Sequence, residues 1–255
     1  GPKGAEKPAA RAFRFLQERL LPLGRPVSRS ATRSARVYEF GDSGRGFVLW
    51  GAGQPVEIRG EAQAFDATGR PVALPERLGD KPVVVLGRGI EVRVDTSLPV
   101  ADSLYQFNTP PWSYYARRPF FGLTPLEMRD WEWTSFRGAP DLSPLSITDD
   151  WVATARFADG PYPAVERFTA AATGRYRVQG KWWAPEKSEP SEIIVWQNGA
   201  ELARGGVDAS PFLLEPRVVT LEAGDRLDFE VAPAGETGAG SVHRRIRVEG
   251  PLPAE

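Results

Sequence analysis

Apolar and polar positions alternate in short runs along most of this chain. In residues 226–231 the apolar Leu227, Phe229 and Val231 alternate with the charged Asp228 and Glu230. This is the period of a strand with one face on a core and the other toward water. Similar runs occupy residues 37–40, 47–50, 56–65, 82–94, 175–183, 192–197, 217–221 and 244–248. Turn chemistry separates them at Asp66-Ala-Thr-Gly69, Thr173-Gly174, Asn198-Gly199 and Ala223-Gly224-Asp225. One stretch has a different period. Between residues 9 and 23, Ala12, Phe13, Leu16, Leu20 and Leu23 recur every three or four positions, which predicts an amphipathic helix closed by Pro22 and Gly24. Its apolar stripe is expected to pack on the β domain that follows.

The pattern therefore predicts an all-β chain: two β-sandwich domains, the second a jelly roll, with one short N-terminal helix. The expected division is residues 1–24 (helix and leading residues), 25–97 (a small sandwich) and 98–255 (the jelly roll), with the boundary near residues 96–101. Gly1-Pro2 has the look of a scar from tag removal, which leads us to expect a piece of a longer protein. Residues 96–150 carry no clear period but are crowded with aromatics, including Tyr105, Phe107, Trp112, Tyr114, Tyr115, Phe120, Phe121, Trp131 and Trp133. Too aromatic for a solvated linker, this stretch is expected to lie across the second domain and supply part of its core.

Composition narrows the functional classes. Gly 26 and Pro 24 in 255 residues suit many turns and few helices, and a 41% hydrophobic content is enough for packed cores. The net charge of −1, without a long block of one sign, argues against a nucleic-acid surface. No apolar run is long enough for a membrane-spanning helix. The chain has no cysteine and a single histidine, His243, so disulfides and thiolate metal sites are excluded and a histidine cluster cannot form. No cofactor is called for. Asp225 and Asp228 could add oxygens to a structural calcium, but Asp225 in its Ala-Gly-Asp context is expected to brace its own turn. The serines at 28, 30 and 34 lack a nucleophile-elbow context. The adjacent acids Asp149 and Asp150, beside Trp151, are the most suggestive pair for acid–base work, yet adjacent acids are ordinarily a turn feature. No catalytic residue is assigned.

Binding chemistry is better represented. In residues 176–183 strand parity puts Tyr176, Val178 and Trp182 on one face and Arg177, Gln179, Lys181 and Trp183 on the other. Trp182 reads as core. Trp183, among Arg, Gln and Lys, has the composition of a platform for a sugar ring, whose C–H face stacks on indole while its hydroxyls meet polar neighbours. The alternative is that the aromatic stretch covers Trp183 and makes a second core. His243, Arg245 and Arg247 share one face of the last strand, suited to an acidic sugar or simply to solvent. Trp112, Tyr114 and Tyr115 are either loop-borne stacking residues or part of the jelly roll's clasp, with Tyr115 the freer to touch ligand. Trp131 and Trp133 flank Glu132, with at least one expected to be exposed. The candidate ligand-binding set is Trp183, Arg177, Gln179, Lys181, Tyr115, Trp131 and Trp133.

Two resemblances give these observations a context. The run VYEF…GRGFVLW…VEIRGEAQAFDATGRPVAL…LGDKPVVVLG resembles the small β-sandwich that follows the catalytic barrel in many bacterial glycoside hydrolases. The helix of residues 9–23 then looks like the tail of such a barrel's last helix. FNTPPWSYYARRPFFGLTPL, ERFTAAATGRYRVQGKW, IIVWQNGAELARG and VVTLEAGDRLDFEVAPAG resemble, in order, the jelly-roll modules appended to bacterial secreted proteins. In those modules Trp112 would belong to the clasp, and an Asp-Ser-Thr segment often stands where this chain has Ala239-Gly-Ser-Val-His-Arg244. The resemblance implies a non-catalytic accessory region of a bacterial glycoside hydrolase, secreted or periplasmic, that binds a polysaccharide or oligosaccharide and partners a catalytic domain in the same chain. The rival expectations are a structural, protein-interaction module bracing a catalytic domain and a small polysaccharide-degrading enzyme.

Overall fold

A computed structural model describes residues 7–30, 32–132, 134–235 and 240–253. Apart from the N-terminal helix and short 3-10 turns, the regular structure is antiparallel β. The chain divides between Leu98 and Pro99 into two compact units.

The first unit is one six-stranded sheet that bends on itself. Its hydrogen-bonded order is Pro26–Ser28, Ala35–Phe40, Gly46–Gly51, Val83–Val94, Val56–Asp66 and Pro71–Val72. Val56–Asp66 and Val83–Val94 are long partners, and their pairing slips between Arg59 and Glu61, at Gly60 (φ +97°). A bulge bends a strand and strengthens its twist. Only Val83–Leu86 continues the ladder to Gly46–Leu49, so the far half of the long pair is free to fold over. Val56, Ile90 and Val92 thereby join Ala35, Val37, Phe47, Leu49 and Val85 in one core. The helix covers the opposite face, where Leu20, Phe40, Val84 and Leu86 form a second core with Phe15, Leu16 and Leu23 packed on it. Val84, Val85 and Leu86 are therefore buried on alternate faces, which explains their unbroken apolar run.

The helix itself departs from the expected stripe. Its α-helical part is Pro8–Phe15, followed by a π-turn at Leu16–Leu20 and a 3-10 turn at Leu21–Leu23. Pro22 lacks an N–H and its ring crowds the carbonyl four residues back, so a regular helix cannot run to residue 23. Phe13, assigned to the buried stripe, is 60% exposed, and Phe15 packs instead, 5.6 Å from the Phe65 ring. Trp50, near the end of the apolar strand Gly46–Gly51, is only half-buried and stacks on Tyr38 at 5.4 Å.

The second unit is a sandwich of two antiparallel sheets. The front sheet runs Glu127–Trp131, Thr134–Gly138, Ser146–Ile147, Trp151–Ala153, Ser241–Glu249, Gly174–Trp183 and Phe212–Leu221, with Val100–Asp102 also paired to Ser241–Glu249. The back sheet runs Ala200–Val207, Ser191–Gln197, Arg226–Pro233, Ala164–Thr169, Trp112–Arg118 and Gly122–Pro125. From residue 112 onward the chain crosses repeatedly between the two sheets, the habit of a jelly roll. Between them lie Trp112, Phe168, Tyr176, Val178, Phe229, Ile246 and Val248, centred on the fully buried Trp182. The Trp182 ring stands 5.7 Å from Phe212 and 6.3 Å from Phe229. It also lies over Gly180, where any Cβ would overlap the indole, which accounts for a glycine inside this strand.

The aromatic stretch 96–150 is not irregular. It supplies Trp112–Arg118 and Gly122–Pro125 to the back sheet and four strands, Val100–Asp102, Glu127–Trp131, Thr134–Gly138 and Ser146–Ile147, to the front sheet. Trp112, Tyr114, Leu126, Leu142, Leu145 and Ile147 enter the core, whereas Phe120, Phe121 and Trp131 are 94%, 78% and 70% exposed.

Candidate functional site

Two surfaces of the second unit carry chemistry. The first is the outer face of the front sheet. Along Gly174–Trp183, Tyr176, Val178 and Trp182 point inward and are buried, so Arg177, Gln179, Lys181 and Trp183 point outward. Their cross-strand partners on Ser241–Glu249 are Glu249, Arg247, Arg245 and His243, and His243 in turn faces Trp151 on the next strand. Trp151, His243 and Trp183 thus form one row across three adjacent strands, with the outer two about 10 Å apart at two strand spacings.

Trp183, 37% exposed, stacks on the His243 imidazole at 5.5 Å and 22°. Lys181 Nζ lies 5.4 Å from the indole centroid, a cation–π distance. Asp150 Oδ2 is 3.6 Å from His243 Nδ1. Asp149 and Asp150 form the turn into the Trp151 strand, closed by Thr148 N donating to the Trp151 carbonyl at 2.9 Å. Beside the row, Arg177 pairs with Glu249 at 3.0 Å. Asp102, fully buried, takes Arg245 Nε at 2.8 Å and has Arg247 Nε at 3.5 Å. Arg245 also covers the Tyr105 ring at 4.7 Å. The arginines of the last strand are therefore held in place by a buried acid rather than simply solvated.

Beneath this face a buried ion pair ties the two sheets together. Arg244 points inward between His243 and Arg245, its side chain 0% exposed. Its Nε and Nη2 each donate to Glu166 at 2.6 Å, Nη1 donates to the Asp149 carbonyl at 2.6 Å, and Nη2 donates to the Thr148 carbonyl at 2.8 Å. Burial alone would lower the guanidinium pKa, but Glu166 outweighs it and holds Arg244 above its usual value. Burial, with the Glu166 charge second, pushes the Tyr114 hydroxyl well above the ordinary phenol range.

The second surface is the outer face of the back sheet. Asp228 and Glu230, which the alternation assigns to the water side of their strand, are only 8% and 4% exposed. Each is covered by an arginine from a neighbouring strand. Arg167 grips Asp228 with Nε at 2.6 Å and Nη2 at 2.8 Å, and its guanidinium lies 4.9 Å over the Tyr115 ring. That hydrogen bond to Asp228 chiefly holds the Arg167 pKa above its usual value. Arg117 Nε and Nη2 reach Glu230 Oε2 at 2.8 and 2.7 Å, and Trp196 Nε1 donates to the same oxygen at 3.1 Å.

The sequence-assigned residues are thus only partly brought together. Trp183, Arg177, Gln179 and Lys181 share the front face. Tyr115 is on the back sheet under Arg167, and Trp131 ends the edge strand of the front sheet, five strands away from Gly174–Trp183, so neither joins them. Trp133 lies outside the described residues. Asp225 and Asp228 do not converge: Asp225 Oδ2 accepts from Glu222 N at 2.8 Å within its turn, while Asp228 is taken by Arg167. Sequence reading missed Trp151 as His243's neighbour, and it missed Trp196, Arg117 and Arg167. Their parity places them on outward faces, but the acids that Trp196, Arg167 and Arg117 hold are 34, 61 and 113 residues distant, and nothing local announces such pairs.

No family profile matches the chain, and no curated protein matches it. Among solved structures it is similar to a family 35 carbohydrate binding module from Clostridium thermocellum, at 10% identity over 60% of this chain and 97% of that one, with a TM-score of 0.28. It is also similar to the C-terminal CBM6 of LamC, a marine laminarinase from Zobellia galactanivorans, at 10% identity over 38% and 86% of the two chains, with a TM-score of 0.23. A third is the Arthrobacter globiformis T6 isomalto-dextranase complexed with panose, at 10% identity and a TM-score of 0.30. There the match covers 88% of this chain but only 39% of that one. Fold and surface define a two-unit, all-β chain whose second unit is a β-sandwich with an aromatic row on one outer face and an arginine-rich cleft on the other.

Proposed function

We propose that the second unit binds carbohydrate, an oligosaccharide or polysaccharide, on the front-sheet face and performs no catalysis there. The observation that carries this reading is the row of Trp151, His243 and Trp183 on one outward face, with Lys181 and Gln179 beside it. Aromatic faces take the C–H side of a sugar ring, and ammonium and amide groups take its hydroxyls. His243 stacks on the Trp183 indole and Lys181 Nζ lies over its ring, so a sugar meets the exposed part of the indole together with these two polar groups. The nearby acids are engaged in turns and ion pairs, which suits binding better than acid–base chemistry.

The wider role follows from the sequence resemblance alone: an accessory region of a secreted or periplasmic bacterial glycoside hydrolase, with a catalytic domain as its neighbour in the same chain. Affinity electrophoresis against a panel of polysaccharides tests the binding. Wild type should be retarded by at least one glycan, and Trp183→Ala should weaken that retardation about tenfold, since stacking on one aromatic ring is worth roughly 1–3 kcal/mol by analogy with nucleobases. Unchanged mobility of wild type on every glycan would refute the reading. A second reading, contact with another protein, is favoured by Phe120 and Phe121, which are almost wholly exposed at a hairpin tip.

A further inference from the structure

The cleft on the back sheet has no part in that reading. It measures about 350 Å³ and is lined by Arg117, Leu123, Arg167, Trp196, Arg226 and Asp228, with the Asn198-Gly199 turn as its lip. That volume is within the range of small-ligand sites.

Its walls are fixed before any ligand arrives. Trp196 is held by its hydrogen bond to Glu230, and Arg167 is clamped between Asp228 and the Tyr115 ring. The lip is a hairpin turn with φ of 51° at Asn198 and 87° at Gly199, the conformation that Asn-Gly adopts readily. Asn198 Oδ1 accepts from Arg226 N at 2.9 Å, which leaves the amide NH2 as a donor. Charges do not cancel across the cleft. Arg117 is neutralised by Glu230 and Arg167 by Asp228, while the exposed Arg226 side chain pairs with no carboxylate among the described residues. The cleft therefore offers an indole wall, fixed guanidinium and amide donors, the remaining acceptor capacity of Asp228, and one uncommitted positive charge.

We infer that this cleft is a separate ligand site for a sugar ring carrying an acidic substituent. The ring packs on Trp196, its hydroxyls meet Arg167, Asn198 and Asp228, and its carboxylate is taken by the Arg226 fork. The inference does not rest on the front-face reading, because the two sites are on different sheets of the sandwich.

The test is an NMR titration of the whole chain with glucuronate, glucose and acetate, read at the Trp196 Nε1–H resonance, which is assigned by its loss in Trp196→Phe. Glucuronate should move this signal, and glucose should do so only at about tenfold higher concentration, as expected for loss of a charge-assisted contact. Arg226→Ala should bring glucuronate down to the glucose level. That residue is exposed and unpaired, so the variant should fold, with a dispersed spectrum as the check. Trp183→Ala should leave the glucuronate response intact, which separates this site from the front face. Three results would overturn the inference: no response at Trp196, acetate matching glucuronate (a bare anion site), or an Arg226→Ala response equal to wild type.

Discussion

Replacing Arg244 by Met should cost the second unit more stability than any surface change on it. The substitution keeps an unbranched apolar stem but removes a guanidinium that donates four hydrogen bonds at 2.6–2.8 Å in a site with 0% side-chain exposure. What remains is the Glu166 carboxylate, only 2% exposed, and the carbonyls of Thr148 and Asp149 without their donor. Breaking a buried pair by removing one partner costs about 3–5 kcal/mol, because the surviving charge is left uncompensated. The orphaned carbonyls belong to the same event and are not added separately. Against a total of about 5–15 kcal/mol for an ordinary domain, this is a large share. The double variant Arg244→Met/Glu166→Leu should recover much of the loss, since apolar replacement of both partners removes the stranded charge. Urea unfolding of wild type, both single variants and the double variant, followed by tryptophan fluorescence and circular dichroism, closes the cycle. A single-variant loss below about 1 kcal/mol, or additive single losses within about 0.5 kcal/mol, would show that the pair is not a coupled buried unit. There is a functional corollary. Arg244 holds the turn that leads into Trp151, so the double variant should fold yet bind glycan more weakly, through a loosened Trp151–His243 contact.

Further outcomes follow from individual contacts. Trp182→Ala should destabilise the second unit by about 3–5 kcal/mol, as deletion of a core aromatic does, whereas Trp183→Ala should stay within about 1 kcal/mol of wild type in thermal melts. Gly41 has φ +67°, and a Cβ there would overlap the Leu23 carbonyl, so Gly41→Ala should lower first-unit stability by more than about 1 kcal/mol in denaturant unfolding. Asp66 accepts from the Thr68 hydroxyl at 2.7 Å and from Arg70 N at 3.0 Å, and these bonds, the Thr68 hydroxyl first, hold its carboxyl below the usual 3.8. Its folded pKa is depressed, so its contribution is present above the unfolded value and is lost as pH falls through the folded one. Asp66→Asn should flatten the acid limb of the first unit's stability profile by lowering its neutral plateau, while the acid end, where Asp66 is already protonated, changes little. Replacing Phe120 and Phe121 by Ser should not alter melting, because both rings are already in water. Loss of glycan retardation in that variant would move the binding surface to this hairpin.

Much of the fold is legible because the relevant signals are local. Period-two alternation shows which of Trp182 and Trp183 is buried, since the two faces of Gly174–Trp183 differ in composition over the whole strand. The Asp66-Ala-Thr-Gly69 turn is equally local: its hydrogen bonds close within four residues. Legibility fails where packing overrides pattern. Residues 112–138 look irregular because both sets of alternate positions in Trp112–Arg118 mix a tyrosine, a small residue and an arginine (Tyr114, Ala116 and Arg118; Ser113, Tyr115 and Arg117), so hydrophobicity barely oscillates. The helix stripe misleads at Phe13, which is exposed while Phe15 packs on Phe65: with an aromatic at both positions, spacing alone does not decide which of the two faces the sheet.

The functional surface shows a deeper limit. Alternation identifies Asp228 and Glu230 as outward, and they are outward; the error is to equate outward with solvated. On this sheet the space above the strand is filled by Arg117, Arg167 and Trp196, so the acids become the buried floor of a site while their strand keeps the pattern of an ordinary half-wet strand. The same holds on the front sheet, where Arg245 and Arg247 look like a solvated row but converge on a buried Asp102 from a segment 143 residues away in sequence. In both cases the informative feature is a pairing of opposite charges across distant strands, and a single sequence does not encode which strands become neighbours. Outward charges in an antiparallel sandwich are therefore candidates for a fixed polar floor wherever aromatic and guanidinium side chains project from the adjoining strands. By that criterion the back-sheet cleft, with two such acids and an indole locked by one of them, is the better preorganised of the two surfaces. The front row has the greater aromatic area. The physical expectation is a division of labour: selective recognition of a single ring in the cleft, and broader adhesion along the row.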